Sequence, residues 1–197
     1  MLETPSIRRY SSMSQAVFIV CGMGSDNPFG ADNQQERLRY CGWITGFVDG
    51  EGCFSCPVFR NRTMTLGWQV QPSFAVVQSA SSRDVLEDLR RFFGCGGVSV
   101  NHRRDNHRQD LCRYEVTRFT DLRDVIVPFF QEHQLQTSKR INFAKFVKVL
   151  RLMEERKHLT ESGLIEIGEI TQTMNHQKPS EVLRILRDQT PTTSRVL

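Results

Sequence analysis

The spacing of hydrophobic residues switches several times along this chain, and each switch marks an expected element. From Asp32 onward Leu38, Cys41, Thr45 and Val48 recur at helical spacing, with Tyr40, Ile44 and Phe47 on a neighbouring stripe. Asp32 is a good N-cap with Gln35 in the capping-box position. Two stripes predict a helix covered on two sides, ending in Gly50-Glu51-Gly52, where glycines let the backbone leave helical geometry. Period-two alternation follows. Phe54, Cys56 and Val58 alternate with Ser55, Pro57 and Phe59, and Val70, Phe74 and Val76 alternate with Gln69, Gln71, Ser73, Ala75 and Val77. The polar run Arg60-Asn61-Arg62-Thr63 turns the chain between these two strands.

A helix then opens near Ser81 or Ser82, carries Val85, Leu86, Leu89, Phe92 and Phe93 at core spacing, and stops at Gly94. A second strand pair sets Val98 and Val100 against Ser99, Asn101 and Arg103, then Tyr114 and Val116 against Arg113, Glu115 and Thr117. Its connecting loop, Arg103 to Arg108, is basic and polar. A capped helix from Thr120 runs into Pro128-Phe129-Phe130. A long one from about Ser138 to Arg156 has Ile141, Ala144, Val147 and Leu150 as its expected inner face, and two more helices, Thr160 to Met174 and Ser180 to Asp188, complete the chain. The expected class is α+β: one domain over 32–190, preceded by an extended arm, 1–31, and followed by a short tail, 191–197. Two hairpins make a four-stranded antiparallel sheet whose apolar face the helices cover.

The other face of that sheet presents Ser55, Phe59, Asn61, Gln69, Gln71, Ser73, Ser99, Asn101, Arg103, Arg113, Glu115 and Thr117. Solvated faces favour Lys, Glu and Thr, whereas Arg, Asn, Gln and Ser are the side chains that read base edges in a major groove. Composition leaves both readings open. At 197 residues, 39% hydrophobic and 24% charged, this is an ordinary globular balance, and the net charge of +4 leans only mildly toward anionic partners. Apolar runs such as Ala16 to Cys21 are far short of the ~20 residues a bilayer span needs, and no signal-peptide core precedes them. A helical transmembrane protein is not expected, nor is a secreted one. Arg8, Arg9, Ser11, Ser12 and Ser14 faintly resemble an organelle transit peptide, with Glu3 against it. The six cysteines read as buried thiols in a reducing compartment.

Two glycines four apart, Gly46 and Gly50, share one helical face. Each costs a helix ~1 kcal/mol relative to Ala, so the pair implies a close neighbour: either a tight crossing within the chain or a second copy of the helix. The whole segment Trp43-Ile44-Thr45-Gly46-Phe47-Val48-Asp49-Gly50-Glu51-Gly52-Cys53-Phe54 resembles the LAGLIDADG motif of homing endonucleases, with Glu51 as the final acid. The helix-strand-strand-helix-strand-strand-helix order also matches that family's αββαββα fold, with a saddle-shaped sheet, from about Gln35 to Asp188.

The resemblance implies an intron-encoded, site-specific double-strand DNA endonuclease. With one motif per chain it implies a homodimer, joined along Gly46 and Gly50. Two Glu51 carboxylates would meet at the twofold axis, which requires a cation between them. Hard oxygen ligands, Glu51 and the Gly50 carbonyl, point to Mg²⁺. Gln78 matches the family's water-orienting glutamine. Lys139, in the segment Leu135 to Phe143, matches its active-site cation, although family members often carry Lys where this chain has Gln136. Arg83 is a weaker candidate for the same electrostatic support, and Asp49 reads as a structural helix-end residue. Strands of ~8 residues at ~3.3 Å cover ~8 to 9 base pairs, so a dimer would read a pseudo-palindrome of roughly 16 to 20. The protein would act beside the intron-bearing genome, in a bacterial cytoplasm or an organelle.

Other constellations are weaker. Cys53 and Cys56 are three apart on a strand and point to opposite faces, so they do not make a zinc site. Asn101-His102 and Asn106-His107 lack the hairpin-and-helix frame of an HNH nuclease. The alternative of a different class is a non-catalytic nucleic-acid-binding protein on the same fold, an intron maturase or a transcription regulator.

Overall fold

The computed structural model describes residues 31–102, 110–175 and 180–189. The expected arm up to residue 30, the tail 191–197, the side chain of Asp32, and Arg103 with the basic loop that follows it lie outside the described residues. Helix α1 (Ala31–Glu51) runs straight into β1 (Gly52–Ser55), followed by β2 (Val58–Arg60), β3 (Trp68–Val70) and β4 (Ser73–Ser79). A 3₁₀ turn leads into α2 (Arg83–Phe93). Strands β5 (Gly97–Asn101) and β6 (Leu111–Val116) come next, then α3 (119–132), α4 (Lys139–Glu154), α5 (Glu161–Thr171) and α6 (Glu181–Gln189). The class is α+β with the αββαββα order and additional C-terminal helices.

The antiparallel four-stranded sheet has the order β1-β4-β6-β5, and β2 and β3 form a separate two-stranded ribbon. The two long strands expected after α1 are thus each divided. Pro57 and Pro72 stand at the divisions, and neither has an N–H to give to a ladder. One bond spans the break: the Gln71 amide donates to the Pro57 carbonyl at 3.0 Å.

Phe54 is the centre of the core. Its ring is fully buried, with centroids of Phe74 at 5.1 Å, Phe130 at 5.4 Å, Phe143 at 5.0 Å and Phe146 at 5.5 Å. These rings come from β1, β4, α3 and α4, so a single cluster joins the sheet to two helices. It also sets the rotation of α4, and here the expected inner face is corrected. Phe143, Phe146, Val149 and Leu150 are buried, whereas Ile141 is 57% exposed and Ala144 is also at the surface. Apolar residues surround α4 on most sides, and the two phenylalanines facing Phe54 decide which side turns inward.

One further difference concerns α1. Helix α1 is covered on one side only, by way of Cys41, Ile44 and Val48; Leu38 is 52% and Trp43 44% exposed. Helix α3 runs on through Pro128 and the two phenylalanines, as expected, and a wider π turn, Leu122–Ile126, lies just before the proline. Helix α2 ends as expected, with Gly94 in the left-handed region at φ 66°. The connection after α5 is tied back to the body: Lys145 Nζ donates to the Thr173 carbonyl at 2.8 Å, and Asn175 Nδ2 to the Phe54 carbonyl at 3.1 Å.

Phe54→Ala should lower unfolding free energy by about 3–5 kcal/mol, because it opens a cavity among four rings. Ile141→Ala should stay within about 0.5 kcal/mol. Denaturant unfolding of both variants checks the assigned rotation of α4.

Candidate active site and nucleic-acid interface

The last turn of α1 and the entry to α4 are about 90 residues apart in sequence and meet at one end of the sheet. Chain direction changes abruptly at Gly52. A Cβ there would lie 2.6 Å from Val48 Cγ1 and 2.8 Å from the Val48 carbonyl oxygen, so only glycine fits. The helix continues through Glu51, and Gly52 is needed for space, not, as expected, for its freedom of dihedral angle. Glu51 is exposed at this corner.

Across from it, Asp49 and Lys139 knit the two segments together. The Asp49 carboxylate accepts hydrogen bonds from the Gln136 amide at 2.8 Å, the Thr137 amide at 3.0 Å and Thr137 Oγ1 at 2.7 Å. Its expected role at the helix end is what it does, with a partner far away in sequence. Lys139 is the first residue of α4, and its Nζ donates to the Val48 carbonyl at 2.9 Å and the Gly50 carbonyl at 3.0 Å. Burial pulls the Lys139 ammonium below the ordinary lysine value, against the charges of Asp49, Cys53 and Glu51. Desolvation pushes the Asp49 carboxyl up, but the hydrogen bonds from Thr137 and Gln136 and the charge of Lys139 outweigh it and leave the group below its usual range.

The other candidates are distributed as follows. Gln78 pairs with Cys112 near the end of β4, at the same end of the sheet as Gly52, which pairs with Val76. In register it falls with Phe74 and Val76 on the helix-covered side, and it is half-buried. Arg83 donates to Glu87 on its own helix at 3.2 Å, an arrangement that commits its charge locally. Among the described residues, no atom outside α1's own backbone lies within 4 Å of where a Cβ would stand on Gly42, Gly46 or Gly50. No described segment crosses α1 tightly at these glycines. The open surface they leave is bordered by an aromatic stack in which Trp43 lies 5.5 Å from Tyr40 and 5.2 Å from Phe47. Gly42 extends the spacing to Gly-x-x-x-Gly-x-x-x-Gly, a pattern visible in the sequence alone.

The register places Ser55 and Ser73, Glu115, Arg113, Ser99 and Asn101 on the sheet face away from the helices, and Phe59 with Gln69 on the corresponding face of the ribbon. Ser99, Asn101, Gln71, Thr117 and Phe59 are exposed. Six members are already engaged, in three pairs. Ser73 is buried and shares a 2.9 Å bond with Ser55. Asn61 organises the ribbon turn: its Oδ1 accepts from the Thr63 amide and hydroxyl, and its Nδ2 donates to Gln69 Oε1. That leaves Gln69 its own amide hydrogens and Asn61 one hydrogen on Nδ2. Arg113 is fixed to Glu115 by a 2.6 Å bond, with its Nε buried and unpaired. Cys53 is exposed and Cys56 buried, on opposite sides of the chain as their spacing predicted.

A divalent cation suits this corner by donor chemistry. The Gly50 carbonyl, which accepts from Lys139 with one lone pair and keeps another, and the exposed Glu51 carboxylate next in sequence are hard oxygen donors of the kind a divalent cation takes. Among the described residues, no cluster of three or more His, Cys, Asp or Glu side chains could hold a metal alone. One exposed carboxylate and one carbonyl are what the described residues offer a cation at this corner.

Residues 44–150 match the family model described as LAGLIDADG endonuclease. The homing endonuclease I-TnaI is 42% identical, with a TM-score of 0.67 over 75% of this chain and 96% of that one. The meganuclease I-SmaMI, solved bound to uncleavable DNA, is 29% identical with a TM-score of 0.64, over 70% of this chain and 45% of that one. In Neurospora crassa, "Probable intron-encoded endonuclease 2" is 33% identical over 135 residues, 68% of this chain; the chain spans only 28% of that relative's length. With the motif helix, the strand order and the match extending over more than half of its residues, the chain belongs to the LAGLIDADG endonuclease family.

Proposed function

We propose that the chain is a site-specific double-strand DNA endonuclease, encoded within an intron, that acts as a homodimer with Mg²⁺. The observation that carries this reading is the corner where Glu51, the Gly50 carbonyl and the Lys139 ammonium come together at one end of an amide- and arginine-bearing sheet face. Similarity to I-TnaI over nearly its whole length and to a DNA-bound meganuclease supports it. The name of the Neurospora relative supports the intron origin, and so a site of action beside the intron-bearing genome, in a bacterial cytoplasm or an organelle.

Two copies apposed along the open glycine face of α1 would bring two Glu51 carboxylates and two Gly50 carbonyls together, completing the oxygen set that one chain lacks. Mg²⁺ held there would lower the pKa of a bound water and neutralise charge on the leaving oxygen. The chain's own residues do the rest. Lys139 places a positive charge where the phosphate becomes more negative. Gln78, at the same sheet end, orients water. Arg113, Ser99, Asn101, Gln69 and Gln71 face base edges, with Arg113 held in one orientation by Glu115 before DNA arrives.

Three outcomes follow. With the joined sequence that flanks the reading frame as substrate, Glu51→Gln should reduce cutting at least about 10²-fold while DNA binding persists, and chelation by EDTA should stop the wild-type protein. Equal cutting by both proteins would remove Glu51 from the reaction, and RNA binding without cutting by either would favour a maturase. Gly46→Leu should convert the dimer to monomer in sedimentation and end double-strand cutting. Arg113→Ala should cost about 1–3 kcal/mol of discrimination at the base pairs it faces, seen as relaxed selection from a randomised target pool.

A further inference from the structure

We propose that Asp49 is a positioning residue of the cleavage reaction: it anchors the entry of α4 so that the Lys139 ammonium stays at the end of α1, beside Glu51. This rests on the reading of Lys139 as the active-site cation. The hydrogen bonds form a closed circuit. The Asp49 carboxylate takes the Gln136 amide and both the amide and hydroxyl of Thr137. Thr137 Oγ1 in turn accepts from the Lys139 amide at 3.2 Å. The Lys139 side chain then returns to the carbonyls of Val48 and Gly50, the residues on either side of Asp49. One carboxylate thus fixes the backbone from which the lysine starts, and its two neighbours receive the lysine's end.

A lysine side chain is a flexible stem carrying a point charge. Holding it at one place requires that its origin be fixed as well as its tip. Both constraints come from the same three-residue stretch, 48–50. The carboxylate Glu51 follows directly, so any shift of α4 relative to α1 moves the cation relative to the acid. A displacement of about 1 Å at a reacting centre costs on the order of 10²-fold in rate. The Asp49 bonds therefore govern the distance that matters most between the two charged groups.

The test uses Asp49→Ala and Thr137→Val in the full chain, each read in two ways. First, reductive methylation with formaldehyde and a borane, quantified by peptide mass spectrometry, should show wild-type Lys139 modified more slowly than the exposed Lys148. Asp49→Ala should speed Lys139 modification about fivefold, the scale of one lost hydrogen bond, with Lys148 unchanged. Thr137→Val, which removes only the bridging hydroxyl, should change it in the same direction by less, and this variant carries the test if Asp49→Ala does not fold. Second, cutting of the joined flanking sequence under single-turnover, saturating conditions should fall about 10²-fold in Asp49→Ala, with DNA affinity little changed. In a Lys139→Met background, Asp49→Ala should cause no further loss, since a residue acting through another is silent once that one is gone. Losses that multiply, or Lys139 reactivity unmoved by either substitution in protein that cuts, overturn the proposal. Wild-type protein that leaves this DNA intact overturns instead the nuclease reading on which the proposal stands, and the labelling then reports separately whether Asp49 holds Lys139.

Discussion

The passage from helix to strand at Glu51 and Gly52 constrains everything around the candidate centre. With no room for a Cβ at Gly52, the chain turns tightly enough that Val48 lies against it. From this turn, alternate residues face alternate ways. Val48 and Phe54 enter the core and fix the joint in place, while Glu51 and Cys53 are left outside. The aromatic cluster around Phe54 is therefore both the main packing element and the foundation beneath the exposed acid. A soft joint here would leave the acid free to wander, and packed rings within about 5 to 7 Å of one another do not permit that.

Charge is arranged on the same foundation. The exposed acid Glu51 has Lys139 close by, and the tip of that lysine rests on backbone oxygens instead of a carboxylate. This leaves the acid's oxygens unclaimed by the lysine. The carboxylate that is fully occupied is Asp49, and it is occupied by backbone and hydroxyl donors. Two acids separated by one residue thus have different tasks because of what surrounds them: one is consumed in holding the architecture, the other is kept available.

Much of this was legible in the sequence, for definable reasons. The order of elements followed from changes of period, and α2 from its core spacing and terminal glycine. The open polar face followed from strict alternation, which the register of β1, β4, β6 and β5 reproduces. What was not legible involved choices between similar side chains or partners distant along the chain. The rotation of α4 could not be read because Ile141, Ala144 and Val147 make as good a stripe as Phe143 and Phe146 until the ring of Phe54 is known to lie opposite. Asn61 and Ser73 read as face residues because their cross-strand partners, Gln69 and Ser55, appear only when strands are paired, whereas the Asn61–Thr63 turn is local. The circuit through Asp49, Gln136 and Lys139 spans nearly ninety positions, and no local pattern announces it. The division of the long strands had a visible signal in Pro57 and Pro72.

That division carries a consequence of its own. Because two prolines interrupt the ladders, the β2–β3 hairpin and the four-stranded body each satisfy most of their backbone bonds internally, with the Gln71-to-Pro57 bond spanning the gap. The hairpin's ladder is thus its own, but its inner side is not independent: Trp68 and Val70 are buried in the same core as Val48 and Phe54. Only its outer side, which carries Phe59, is left to vary without repacking the core beneath Glu51.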